Sequence, residues 1–276
     1  MPALPADSAA VSPSAVASSS SEVASSGRKP LTATGFLGIA DHTLLAPGTT
    51  AAELEVFLRS AADLGVARVC ISPSLLPVDA HGIEVVTVVG FPSGVHHAEI
   101  KAAEAALAVA NGAHEIDMVV NRALVREAAI SGEWTGVVAE ITAVRAACPG
   151  RVLKVIIESA ALSDDEIVGV CRAAESAGAD FVKTSTGFDP AGGASVQAVR
   201  LMAATVGDRL GVKASGGIRS AESVRELWAA GATRFGVSGT AGIIAEWDRE
   251  LAEQPQPQSQ SQPQLQSQPS GGPAGY

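Results

Sequence analysis

Three lysines stand inside short β-branched runs: Lys154 in VLKVIIES, Lys183 in ADFVKTSTGF and Lys213 in GVKASGGI. A strand covered on both faces offers an ammonium no water, so a lysine there is paired, neutral or aimed into a wet site. Lys183 and Lys213 each stand just before a turn rich in Ser, Thr and Gly; Lys154 has no such turn directly after it. Taken singly, each also reads as a lysine that snorkels to water or pairs with a carboxylate. Two on consecutive predicted strands suggest more. If both enter one site, burial and mutual repulsion disfavour the ammonium form and lower at least one amine pKa. A neutral amine attacks a carbonyl carbon, and the iminium it forms draws electrons from an adjacent carbon–carbon bond and lets it break. Asp117, in HEIDMVVN, alternates with Glu115 and Val119 on the fourth predicted strand. It is a candidate proton relay or lysine orienter, with a buried salt bridge as the alternative, and parity alone does not choose inside from outside.

Two glycine-rich turns offer a second kind of chemistry. Ser215-Gly216-Gly217-Ile218-Arg219-Ser220 and Gly236-Val237-Ser238-Gly239-Thr240 follow the last two predicted strands and lead into helices. Backbone N–H groups and helix N-termini in such positions bind phosphate, and glycine lets the anion approach closely; tight turns that merely need glycine are the alternative. Metal chemistry has less support. His42, His81, His96, His97 and His114 form no H-x-H or H-E-x-x-H pattern, and Cys70, Cys148 and Cys171 form no C-x-x-C pair, so neither a bound metal nor a disulfide framework is expected.

The elements that position these residues follow from composition and periodicity. The chain has 276 residues, 47% hydrophobic and 17% charged, enough to bury a large core. Its net charge of −10, without a basic cluster, argues against nucleic acid. No apolar stretch approaches the roughly 20 residues of a membrane span and no signal pattern opens the chain, so a soluble cytoplasmic protein is expected. Residues 1–30, rich in Ala, Ser and Pro, and residues 253–276, rich in Gln, Pro and Ser, read as disordered or flexible tails around one domain at 31–252. Within that domain eight candidate strands alternate with helical patterns: Gly38 to Asp41, Ala67 to Ser72, Glu84 to Gly90, Glu115 to Val120, Leu153 to Glu158, Asp180 to Thr184, Val212 to Ser215 and Arg234 to Ser238. The helices are expected at about Thr50 to Leu64, Ser74 to Ala80, His97 to Asn111, Glu133 to Ala147, Ser163 to Ala177, Gly193 to Val206, Ala221 to Ala230 and Ala241 to Trp247. Ser163 with Glu166 forms a capping box, and Gly65, Gly112, Gly178 and Gly231 stand where helices stop. The repeated unit implies a closed (β/α)8 TIM barrel, a single domain with chemistry at the C-terminal ends of its strands. An open doubly wound sheet is the alternative, disfavoured by the lack of G-x-G-x-x-G after the first strand.

Several segments, in order, resemble the deoxyribose-phosphate aldolases, class I lyases with a (β/α)8 barrel. These are Asp41-His42-Thr43-Leu44-Leu45, Glu115-Ile116-Asp117-Met118-Val119-Val120-Asn121, Leu153 to Glu158, Phe181 to Phe188, and Val212 to Arg219. The resemblance implies Lys183 as the Schiff-base lysine, Lys213 as the cation that lowers its pKa, and Asp117 as the proton-relay carboxylate. It places Gly187, Gly216, Gly217, Gly236 and Ser238 around a phosphate and implies no external cofactor. The expected partners are a phosphorylated sugar and aldehydes, with a homodimer or higher homo-oligomer as the default assembly. The expected reaction is reversible cleavage of 2-deoxy-D-ribose 5-phosphate to D-glyceraldehyde 3-phosphate and acetaldehyde. Some family members are thought to bring a C-terminal tyrosine into the site, and a coil of about 24 residues, spanning about 25 to 30 Å, gives Tyr276 that reach; an inert chain end is the alternative. Two other readings keep the glycine turns: a sugar-phosphate isomerase, which has no use for paired strand lysines, and a non-catalytic sugar-phosphate scaffold.

Overall fold

A computed structural model describes residues 28–253. The expectations for residues 1–27 and 254–276, Tyr276 included, lie outside these residues. Eight parallel strands close in sequence order into a barrel. They are β1 (Ala40–Leu44), β2 (Arg68–Ile71), β3 (Glu84–Val89), β4 (Glu115–Val119), β5 (Val152–Ile156), β6 (Phe181–Lys183), β7 (Gly211–Ser215) and β8 (Arg234–Val237). Around them run α1 (Ala33–Ile39), α2 (Ala51–Leu64), α3 (Ala98–Ala110), α4 (Arg122–Ser131), α5 (Thr135–Ala147), α6 (Asp164–Ser176), α7 (Val196–Val206), α8 (Ala221–Ala230) and α9 (Thr240–Glu253). Among the described residues no helix is long and apolar enough to cross a membrane.

Local chemistry sets the helix ends. The Ser163 hydroxyl accepts from the Glu166 N–H while the Glu166 carboxylate accepts from the Ser163 N–H, so two orphan donors are satisfied at the start of α6. Gly65, Gly112, Gly178 and Gly231 all have positive φ where their helices stop. Three expectations are corrected. The first strand begins at Ala40, because Gly38 and Ile39 belong to α1, capped by the Thr32 side chain. The helix expected over Ser74 to Ala80 shrinks to a 3-10 turn at Pro73–Leu75, since Pro77 has no N–H to continue it. A further helix, α4, precedes α5, with the Asn121 side chain accepting from the Ala123 N–H and Gly132 left-handed after it.

Two different interiors result. Between sheet and helices lies one continuous apolar layer that includes Phe36, Leu58, Ile116, Leu153, Met202 and Phe235. Inside the barrel the upper filling is a small cluster of Leu45, Cys70, Val86 and Val88, with Phe91 against it. The same interior also holds charge: Asp41, Glu115, Asp117, Lys154, Lys183, Lys213 and Arg234 are each at most 7% exposed. Residues 28–30 lie at the outer wall, where the Arg28 guanidinium sits 4.4 Å over the Trp228 ring and Trp228 Nε1 donates to the Lys29 carbonyl.

Candidate active site

Strand register brings the charged side chains together. Lys183 on β6 is level with Lys213 on β7, and Asp117 on β4 is level with Lys154 on β5. The Asp117 carboxylate holds all three lysines: Lys154 donates to Oδ1 at 2.8 Å, while Lys183 and Lys213 donate to Oδ2 at 2.8 and 2.7 Å. Lys213 also donates to Asp41 Oδ2. Arg234 reaches Asp41 Oδ1 at 2.8 Å and Glu115 Oε2 at 3.1 Å, and Lys154 lies 2.5 Å from the same Glu115 oxygen. The network therefore closes on itself around the barrel, from Asp117 through Lys213, Asp41, Arg234, Glu115 and Lys154 back to Asp117.

The charges in that ring match. Lys154, Lys213 and Arg234 face Asp41, Glu115 and Asp117; Arg68, at the rim, also touches Glu115 but has its own partner in Glu84. Lys183 is the amine left over, with Asp117 as its only ion-pair partner among the described residues. An uncompensated buried ammonium is costly, so Lys183 is the group for which losing a proton costs least. The direction of each shift agrees. Burial, reinforced by neighbouring Lys213, holds the Lys183 amine below its ordinary pKa despite the attraction of Asp117. For Lys213 burial acts the same way, but Asp117 and Asp41 outweigh it and hold that ammonium above its ordinary value. Burial pushes Asp41 up, yet Lys213, Lys154 and Arg234 take it down to about 2. Burial likewise opposes the Asp117 carboxylate, and its three lysines hold it well below the usual carboxylate range.

Above Lys183 opens a cavity of about 480 Å³. Gly187, Gly216, Gly217, Gly236 and Ser238 all line it together with Lys183, so both glycine turns meet at the lysine's side of the barrel mouth. Gly216 has φ +86°, and an added Cβ would come 2.9 Å from the Gly193 Cα. Gly236 packs against the Lys213 side chain, where a Cβ would lie 3.1 Å from Cε. Helix α9 starts two residues after Ser238, and the hydroxyl of its first residue, Thr240, hydrogen bonds His42 Nδ1 at 2.8 Å. That contact fixes the start of α9 just beyond Ser238 of the cavity lining. The lining also includes apolar Leu44, Leu45 and Phe188, and the Phe188 ring meets Phe91 edge-on at 5.2 Å between centroids. Among the described residues no cluster of three or more His, Cys, Asp or Glu side chains is arranged to hold a metal. Polar and apolar groups both line this space, and the Lys183 amine is among them.

Sequence reasoning left several of these residues without a role. Asp41 and Arg234 close the ring, Thr186 and Arg219 line the cavity, and Gly193 makes the backbone contact under Gly216. Asp41 was visible in the Asp41-His42-Thr43 segment, but only its place beside β8 reveals that it holds Lys213.

The chain is similar to known proteins over most of its length. Residues 37–245 match the family described as DeoC/LacD family aldolase. A Kocuria rhizophila protein named deoxyribose-phosphate aldolase is 58% identical over 220 residues, covering 79% of this chain and 99% of the relative. A Nocardia farcinica protein of the same name is 62% identical over 205 residues, covering 74% and 90%. Among solved structures, a deoxyribose phosphate aldolase from Aeropyrum pernix, described as a unique tetrameric structure, superposes with a TM-score of 0.70 at 29% identity over 79% of this chain and 92% of that one. With the barrel, the cavity and these matches together, the chain belongs to the DeoC/LacD family of aldolases.

Proposed function

We propose that the chain is a Schiff-base aldolase that reversibly cleaves 2-deoxy-D-ribose 5-phosphate to D-glyceraldehyde 3-phosphate and acetaldehyde, with Lys183 as its nucleophile. The observation that carries this is the unmatched, pKa-lowered amine of Lys183 at the floor of the cavity. Lys183 Nζ attacks the C1 aldehyde, and loss of water from the carbinolamine leaves an iminium. Asp117, which accepts hydrogen bonds from both Lys183 and Lys213, and Lys213 beside it manage the protons of that dehydration and of the C3 hydroxyl through water. Deprotonation of the C3 hydroxyl breaks the C2–C3 bond; its electron pair moves to C2, giving an enamine and free D-glyceraldehyde 3-phosphate. Protonation at C2 and hydrolysis then release acetaldehyde and restore the amine. The iminium is the electron sink throughout.

The phosphate sits in this reading among Gly187, Gly216, Gly217, Gly236 and Ser238, where glycine backbone and the α9 N-terminus approach an anion closely. Arg219, on the same wall, adds a charge. The cytoplasmic, homo-oligomeric protein expected from sequence belongs to this proposal too. Three unpaired buried cysteines suit a reducing compartment, and exposed Ile100, Leu107 and Ile130 suit contact between copies.

The test is mass spectrometry of the intact protein after incubation with acetaldehyde and sodium borohydride, followed by peptide mapping. A single ethyl group on Lys183, absent from Lys183→Arg, is the expected result. No adduct, or one scattered over surface lysines, overturns the assignment.

A further inference from the structure

The turn after β5 carries a residue that is unusual in both backbone and side chain. Glu158 has φ 59° and ψ 54°, a left-handed conformation that glycine adopts freely and other residues seldom hold. Its side chain is buried, at 2% exposure. One carboxylate oxygen accepts from the Thr186 hydroxyl at 2.6 Å, and both oxygens lie 3.3 Å from the Thr186 N–H. The Thr186 hydroxyl oxygen accepts in turn from the Phe188 N–H at 3.1 Å. Thr186, Gly187 and Phe188 are a continuous stretch of the cavity wall, whereas Glu158 does not line the cavity. The far end of the stretch is tied separately, by Arg122 at the start of α4 to Asp189 at 2.8 Å. Burial raises the Glu158 pKa even against the hydrogen bonds from Thr186, so the carboxylate is kept in an environment that does not favour its charge.

A turn that needed only the left-handed backbone would be served by glycine without any of this. We propose that Glu158 is a positioning residue: its carboxylate, acting through Thr186, holds the Thr186–Phe188 wall in its binding conformation before substrate arrives. The proposal rests on the aldolase reading. Without the anchor the wall has to be ordered at the expense of binding, which raises KM more than it lowers kcat, because the chemistry at Lys183 is left intact.

The decisive variant is Glu158→Gly, which removes the carboxylate while easing the backbone, so a fold that only needs the turn tolerates it fully. The expected result is a melting temperature no lower than that of the parent. KM for 2-deoxyribose 5-phosphate rises about tenfold, with kcat within about threefold. Thr186→Val shifts KM in the same direction, and Glu158→Gly/Thr186→Val is no worse than the larger single effect, as residues acting in one chain require. Glu158→Gln keeps an acceptor for the Thr186 hydroxyl and restores most of the loss. Independently of turnover, amide hydrogen exchange of the peptide spanning 184–190 is faster in Glu158→Gly than in the parent. An unchanged KM, an equal fall in kcat, additive single effects or unchanged exchange would overturn the proposal. If the parent protein itself fails to cleave the substrate, the aldolase reading is what fails, and the exchange measurement still decides the role of Glu158.

Discussion

Replacing Lys213 with Met removes one charge from beside the Lys183 amine without opening a cavity. The two nitrogens donate to the same Asp117 oxygen at 2.8 and 2.7 Å, so they can be no more than about 5.5 Å apart. At an effective dielectric near 20, two unit charges at that separation repel by about 3 kcal/mol, or about two pKa units. Loss of Lys213 also frees Asp117 to attract Lys183 more strongly, which acts in the same direction. The Lys183 pKa rises, and below it each unit lowers the neutral fraction tenfold, so imine formation at pH 7 slows by about a hundredfold. The assay is the rate of reductive ethylation of Lys183 by acetaldehyde and a slow hydride donor, followed by mass spectrometry from pH 6 to pH 10. It isolates the amine from later proton transfers that Lys213 serves. The expected profile keeps its shape and moves up by about two units, so that the variant recovers at high pH. Equal slowing at every pH would refute the electrostatic argument and leave Lys213 a role in proton transfer alone.

Other consequences are open to direct measurement. Asp41, lowered from an ordinary 3.8 to about 2, contributes stability that is present above its unfolded value and is lost as pH falls through about 2; the shift corresponds to a stabilisation on the order of 2 kcal/mol. Asp41→Asn therefore unfolds more readily at pH 7 in urea, because Arg234 and Lys213 lose a partner, and its stability varies less between pH 4 and pH 2 than the parent's; an unaltered acid slope would show that the pair does not form. Arg219→Ala raises KM for 2-deoxyribose 5-phosphate by about tenfold or more while leaving turnover of unphosphorylated 2-deoxyribose as it was, and an equal loss for both substrates would move Arg219 away from the phosphate. Gly193→Ala places a Cβ 2.1 Å from the Gly216 carbonyl oxygen and costs about 1–3 kcal/mol, read as a lower melting temperature together with a raised KM. A variant with parental stability would mean that the two turns are not packed backbone to backbone.

Much of the barrel could be read directly from the chain because its repeat is local: the named helix stops at glycine and seven of the eight strands fell close to where the periodicity put them, the first starting two residues late because Gly38 and Ile39 close α1. The misplacements are local too. Pro77 removes a donor inside an apparently helical stretch, and α4 hides between a strand and a second helix, marked only by Asn121 before it and Gly132 after it. The site was legible where a residue's signal is local and illegible where it depends on partners far away in sequence. Lys183, Lys213 and the glycine turns announce themselves through type and place on their own strands. Asp41 and Arg234 do not, since they meet only because the barrel closes and β1 pairs with β8. Glu158 had no local signal at all: a glutamate before Ser159 looks like the end of a strand, and its left-handed backbone is a product of the turn it ties down.

The closed ring of matched charges also constrains how this protein can change over evolutionary time. In the apolar layer between sheet and helices, an Ile can become a Val by a single step at modest cost, and drift can proceed one residue at a time. In the ring, losing any one member strands an opposite charge away from water, which typically costs several kcal/mol. A viable path must therefore change two facing residues together, or pass through an intermediate the organism tolerates poorly. Lys183 stands outside that coupling because it has no dedicated counter-charge, so the residue with the most chemical freedom is also the one whose neighbours are least free to vary. Substrate range can then diversify at the mouth, in the turns bearing Phe188 and Arg219, over an interior that stays nearly fixed.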